Sequence, residues 1–147
     1  LILLRTFAKI YGLAGLRLGY AFGHPTVMNY LERARPSFSV HALAQAAGLA
    51  ALADEAHVVR SRAHANACRA QFMNELHALD LAPIASETNF IAAHVGDDMA
   101  VTAALMEAGF TVTPLSGWGI PGYIRISFGT DAENARFFGA LRQILQR

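Results

Sequence analysis

Apolar and polar positions divide the chain into segments of different period. Residues 1–4 form a short, wholly apolar run, the pattern of a buried strand, and deliver residues 5–9 into a loop at the strand's carboxyl end. Open α/β sheets place their chemistry there. Gly12, Gly15 and Gly19 permit close backbone approach, and residues 18–22 have the composition of a second strand. Residues 25–34 read as a helix with proline in its first turn. Pro36 breaks the pattern, and an alanine- and leucine-rich helix follows over 42–52. Residues 54–79 then carry Val58, Ala65, Phe72, Leu76 and Leu79 at helical spacing, which predicts a long helix linking two domains.

Pro83 marks a change of pattern. Residues 89–95 read as a strand, 99–108 as a helix closed by Gly109, and 110–113 and 123–128 as further strands around the turn-rich SGWGIPG. Asp131 is expected to cap a last helix running through Leu145. The predicted organisation is α/β. Residues 1–53 form part of a large domain, 54–79 a connecting helix, and 80–147 a small α+β domain. No internal repeat or low-complexity tract interrupts it.

Composition narrows the function classes. Of the 147 residues 54% are hydrophobic, which favours a folded chain. Twelve basic against 11 acidic residues leave a net charge of +1, so the broad attraction used by nucleic acid or anionic membrane is not expected. Anion recognition must then be local. No apolar stretch reaches the roughly 20 residues of a spanning helix. Cys68, the single cysteine, cannot form an internal disulfide; it suits a reducing, cytoplasmic setting and reads as a small packed residue. The absent initiating methionine and abrupt apolar start suggest a piece of a longer chain.

The candidate chemistry lies in RTFAKIYGLAGLRLGY. A lysine held among apolar residues can lose its proton by desolvation and form an imine with an aldehyde. Arg17, eight residues beyond Lys9 past a glycine-rich turn, brings a planar guanidinium suited to phosphate. That combination fits pyridoxal phosphate. The stretch RTFAKIYGLAGLRLGYAFG resembles the lysine segment of the fold-type I pyridoxal-phosphate aminotransferases, and within them the histidinol-phosphate aminotransferase family. SVHALAQAAGLAAL, ETNFI and GWGIPGYIRISFGT resemble later segments of that family in the same order.

The resemblance implies the later part of a fold-type I large domain followed by a small carboxyl-terminal domain. It implies that Lys9 is the Schiff-base lysine and general acid–base, that Arg17 and Thr6 bind the cofactor phosphate, and that Arg125 receives the substrate α-carboxylate. It further implies ping-pong transamination between amino acids and 2-oxo acids by a homodimer. The aspartate at the pyridine nitrogen and the aromatic residue stacked on the ring precede this segment in the family pattern. Residues 1–147 are therefore not expected to complete an active site alone.

Two positions depart from the pattern. Ala8 stands where the family often has a serine that holds the phosphate. Thr113, in VTP, stands where an arginine is expected to meet a substrate phosphate. Losing that charge-assisted contact removes on the order of 1.5–3 kcal/mol, roughly one to two decades of affinity, and favours a non-phosphorylated aromatic or aliphatic donor. Two other readings share the lysine and arginines: decarboxylation of a phosphorylated amino acid, and a non-enzymatic aminotransferase-like domain of a transcription regulator. The regulators' lysine segment usually has one residue fewer between lysine and arginine.

Other conspicuous residues are read conservatively. His24, His41, His57, His64, His77 and His94 lack the spacing and the cysteine or carboxylate company of a metal motif, so no metal is expected. Phe38 and Tyr123 are expected in the core. Trp118 lines a substrate entrance or packs its turn, and Asn89 belongs to a strand without a catalytic role.

Overall fold

The computed structural model describes residues 1–146, which divide into two compact units, Leu1–Arg62 and Ala63–Arg147. The division falls inside the long helix, between Arg62 and Ala63.

In the first unit, β1 (Ile2–Thr6) and β2 (Gly19–Gly23) form an antiparallel ribbon with Thr6 opposite Gly19 and Arg5 opposite Tyr20. Helices α1 (Pro25–Ala34) and α2 (Ala42–Ala53) follow, and α3 (Glu55–Ala78) begins. His24 and His41 account for two of the histidines as helix caps: His24 Nδ1 accepts from the Thr26 N–H at 3.3 Å and His41 Nδ1 from the Ala44 N–H at 3.2 Å. The ribbon corrects the expectation of a buried first strand, since all five residues of β1 are exposed. Its continuous apolar run suits a strand covered on both faces, and the residues of this unit leave it uncovered. Phe38 is corrected as well: it is 97% exposed and has φ 57°, a turn conformation rather than a packed one.

The second unit is an antiparallel sheet against helices. Its order is β3 (Ala82–Ile84), β4 (Phe90–His94), β6 (Tyr123–Ser127) and β5 (Thr113–Pro114), so the last strand in sequence is internal. Strand alternation sends Ile91, Ala93, Ile124 and Ile126 to one face, where they pack with Phe72 and Leu76 of α3 and Leu105 of α4 (Asp98–Glu107). Phe137, Phe138 and Leu141 of α5 (Asp131–Leu145) complete that core. The opposite face of β6 presents Tyr123, Arg125 and Ser127.

Three local expectations change. The strand expected over 110–113 is confined to Thr113–Pro114, because Phe110 is drawn to the helix core. Pro83, expected only to mark a change of pattern, lies in the edge strand β3, where a missing N–H costs no ladder bond. The cap of α5 is Thr130, not Asp131. Its hydroxyl accepts from the Glu133 N–H at 3.3 Å while Glu133 Oε2 accepts from the Thr130 N–H at 2.8 Å.

One buried carboxylate organises the approach to β6. Asp98, at the start of α4, accepts from the backbone N–H groups of Ser116 at 2.9 Å and Gly122 at 3.3 Å, pinning both ends of the SGWGIPG loop. These donors hold its pKa below the usual aspartate value. Gly122 has φ 81°, and a Cβ there would fall 2.8 Å from His94 Nε2, so no side chain fits. Trp118, within this loop, is 74% exposed and does not pack the turn.

Candidate active site

The loop 7–18 is closed by its own backbone. Phe7 donates to the Leu18 carbonyl at 3.0 Å, Leu13 to the Phe7 carbonyl at 2.9 Å, and Gly12 to the Lys9 carbonyl at 2.9 Å. Phe7 anchors it as the buried residue of the lysine segment, its ring 4.9 Å from Tyr11 and 5.7 Å from Tyr20. From outside the loop, His57 on α3 places Nε2 2.9 Å from the Ile10 carbonyl. A carbonyl only accepts, so Nε2 carries the proton. At the loop's exit Gly19 lies against β1, where a Cβ would meet the Arg5 carbonyl oxygen at 2.8 Å.

This closed loop groups Thr6, Lys9 and Arg17 in the first unit. Lys9 is the only lysine in the sequence. It is exposed, so the desolvation expected from the sequence is not supplied by its neighbours in this unit. Among the described residues neither Lys9 nor Arg17 is in an ion pair. Thr6 Oγ1 accepts from the Ala8 N–H at 3.0 Å, which leaves the hydroxyl proton free to donate. Arg17 takes a left-handed backbone, φ 52° and ψ 46°, and its Nη1 donates to the Ala14 carbonyl at 2.9 Å. A non-glycine residue held there costs of order 1–3 kcal/mol, a cost typical of residues placed for function. A lysine and an arginine on the loop, with a free hydroxyl donor just before it at the end of β1, form a donor set that fits a group bearing an aldehyde and a phosphate.

Arg125 belongs to the second unit. It stands opposite Ala92 on β4 and Thr113 on β5, donates from Nη2 to Thr113 Oγ1 at 3.2 Å, and lies 5.3 Å over the Phe90 ring. Thr113, expected from the sequence as a missing charge, is thus the direct hydrogen-bond partner of this guanidinium. Asn89 has a backbone role only, its carbonyl accepting from the Phe128 N–H at 3.0 Å. His57 was not legible as a loop anchor, because its partner lies 47 positions away and no local pattern joins the two.

One histidine has cysteine and carboxylate company that the sequence did not show. His64 and Cys68, four residues apart on α3, meet Asp131 at the start of α5, with one ligating atom from each lying within 4.8 Å of the others. The H-x-x-x-C spacing was the available signal.

Comparison with known proteins adds the following. The model of the family "Aminotransferase class I and II" matches residues 1–141. A histidinol-phosphate aminotransferase 1 of Thiobacillus denitrificans is 43% identical over 145 residues, 99% of this chain and 38% of that protein. The corresponding protein of Nitrosococcus oceani is 43% identical over 149 residues, covering 99% and 40%. Among solved structures, histidinol-phosphate aminotransferase from Sinorhizobium meliloti in complex with pyridoxal-5'-phosphate has a TM-score of 0.88 at 31% identity, covering 99% of this chain and 41% of that one. The chain therefore spans about two fifths of the length of these relatives.

Proposed function

The chain belongs to the class I and II aminotransferase family, and from that premise we propose that it supplies the reactive lysine and the anion-binding residues of a pyridoxal 5'-phosphate-dependent aminotransferase. The observation that carries this reading is the closed loop that holds the only lysine and Arg17, with Thr6 just before it at the end of β1; among the described residues neither Lys9 nor Arg17 is in an ion pair. In this reading residues 1–53 belong to the cofactor-binding domain, 54–79 to the connecting helix and 80–147 to the small domain.

When bound, the cofactor supplies an aldehyde for condensation with amines and a pyridine ring that accepts electron density. Arg17 and the Thr6 hydroxyl hold its phosphate. Lys9 Nζ would hold the aldehyde end of the cofactor. Lys9 Nζ, when free, would serve as the base that takes a proton from the substrate α-carbon and as the acid that returns one. Arg125 receives the α-carboxylate through its guanidinium edge, oriented by the Thr113 hydroxyl and the Phe90 ring beneath it.

The substrates are an amino acid and a 2-oxo acid. Thr113 beside Arg125 supports a non-phosphorylated aromatic or aliphatic donor, because a phosphate there meets a hydroxyl in place of a second guanidinium. Histidinol phosphate, in the names of the relatives, is the competing donor. We also propose a homodimer in the cytoplasm, the single buried cysteine suiting a reducing compartment.

A donor panel on the full-length protein tests the reading. Transamination of aromatic or aliphatic amino acids, with histidinol phosphate poorer, is the expected result. Histidinol phosphate as the clearly better donor removes the argument from Thr113 and leaves transamination standing; no turnover of any donor with cofactor supplied refutes both.

A further inference from the structure

We propose that His64, Cys68 and Asp131 bind a divalent transition-metal ion of the zinc type, joining α3 to the first turn of α5.

The three donors come from two elements that sequence separates widely. A helix sets residues four apart on one face, so His64 and Cys68 stand together on α3. Thr130 caps α5 and brings Asp131 to meet them. All ligating atoms lie within 4.8 Å of one another. Tetrahedral zinc, with bonds of about 2.3 Å to sulfur and 2.0 Å to nitrogen, asks for S···N separations of about 3.5 Å. His64 Nδ1 lies 3.9 Å from Cys68 Sγ, a little beyond that value. Asp131 is exposed, so its side chain can turn to close the remaining gap without disturbing the core.

The surrounding hydrogen bonds are arranged for ligation. His64 Nε2 lies 2.9 Å from the Gly129 carbonyl, which only accepts, so the neutral ring keeps its lone pair on Nδ1. A ligating histidine whose other N–H is held by a carbonyl is the usual supporting arrangement. Asn134, 2% exposed, accepts the Gly129 N–H at 2.9 Å, which fixes its amide. Its Nδ2 then donates to Cys68 Sγ at 3.4 Å and orients the sulfur, while burial above all, and the Asp131 carboxylate, push the free thiol up, so it is the cation that must stabilise the thiolate.

Charge and softness select the ion. Thiolate and carboxylate bring two negative charges and leave the loaded cluster neutral. Sulfur and imidazole donors favour zinc over magnesium or calcium. On binding, the Cys68 proton leaves to solvent, and a fourth position remains for water.

The test is equilibrium dialysis of the full-length protein, stripped with chelator, against zinc chloride at neutral pH, with bound metal counted per chain. The wild type is expected to retain one zinc that His64→Ala and Asp131→Asn each weaken at least tenfold. These exposed positions keep the fold intact, and circular dichroism confirms it. Cys68→Ser is expected to abolish retention, and magnesium in excess is expected not to displace zinc. Zinc absent from the wild type, or retained equally by His64→Ala and Asp131→Asn, overturns the site.

Discussion

Arg125 and Thr113 face each other across β6 and β5, the guanidinium donating to the hydroxyl at 3.2 Å. Under the proposed function, Thr113 would couple the donor's side chain to the carboxylate-binding Arg125. Thr113→Arg is expected to shift kcat/KM toward histidinol phosphate by about ten- to a hundredfold relative to a non-phosphorylated donor, the range of one charge-assisted bond. Steady-state kinetics with both donors checks this; an unchanged ratio contradicts the role of Thr113.

Arg17 has a left-handed backbone, and under the proposed function its side chain would bind the cofactor phosphate. Arg17→Gly separates the two. Glycine relieves the backbone, so thermal stability is expected to stay level or rise, while affinity for pyridoxal phosphate falls about ten- to a hundredfold through the lost charge-assisted contact. A cofactor titration alongside a melting curve reads both. Stability and affinity falling together would make Arg17 a structural residue.

His57 ties α3 to the lysine loop through the Ile10 carbonyl. His57→Phe removes the donor and leaves that carbonyl without its partner, and is expected to cost about 1–2 kcal/mol in denaturant unfolding. Cofactor release should accelerate as well, because the loop that carries Lys9 loses its outside anchor. An unaltered unfolding midpoint and release rate would remove His57 from the account.

Asp98 gives the fold a pH dependence of known sign. Its folded pKa lies below the ordinary value because the Ser116 and Gly122 N–H groups stabilise the carboxylate. It contributes stability that is fully present above the unfolded pKa, about 4, and is lost as pH falls through the lower folded value. The wild type is thus expected to lose stability below about pH 4 more steeply than Asp98→Asn, which lacks the titration. Denaturant midpoints between neutrality and pH 3 measure the difference; parallel curves would contradict it.

The parts legible in the sequence are those with a local signature. Helices α1, α2, α3 and α4 follow from periodicity and glycine or proline punctuation, and β4 and β6 from short apolar runs bounded by turns. The lysine loop was legible because lysine, glycines and arginine stand at fixed spacing in one continuous stretch. What escaped depends on distant partners. The Asp98 clamp spans 18 and 24 positions, and Asn134 reaches Cys68 across 66. The exposure of β1 was equally invisible, since an apolar run states what a strand prefers to meet and not whether its own unit supplies it.

The central claim is that Lys9 holds the cofactor aldehyde. Borohydride reduction of the full-length protein loaded with pyridoxal phosphate, followed by proteolysis and mass spectrometry, tests it most directly. A phosphopyridoxyl group is expected on the peptide containing Lys9, lost together with the visible absorbance of the bound cofactor in Lys9→Ala. A label on any other residue, or a Lys9→Ala variant that retains the reducible band, would contradict it.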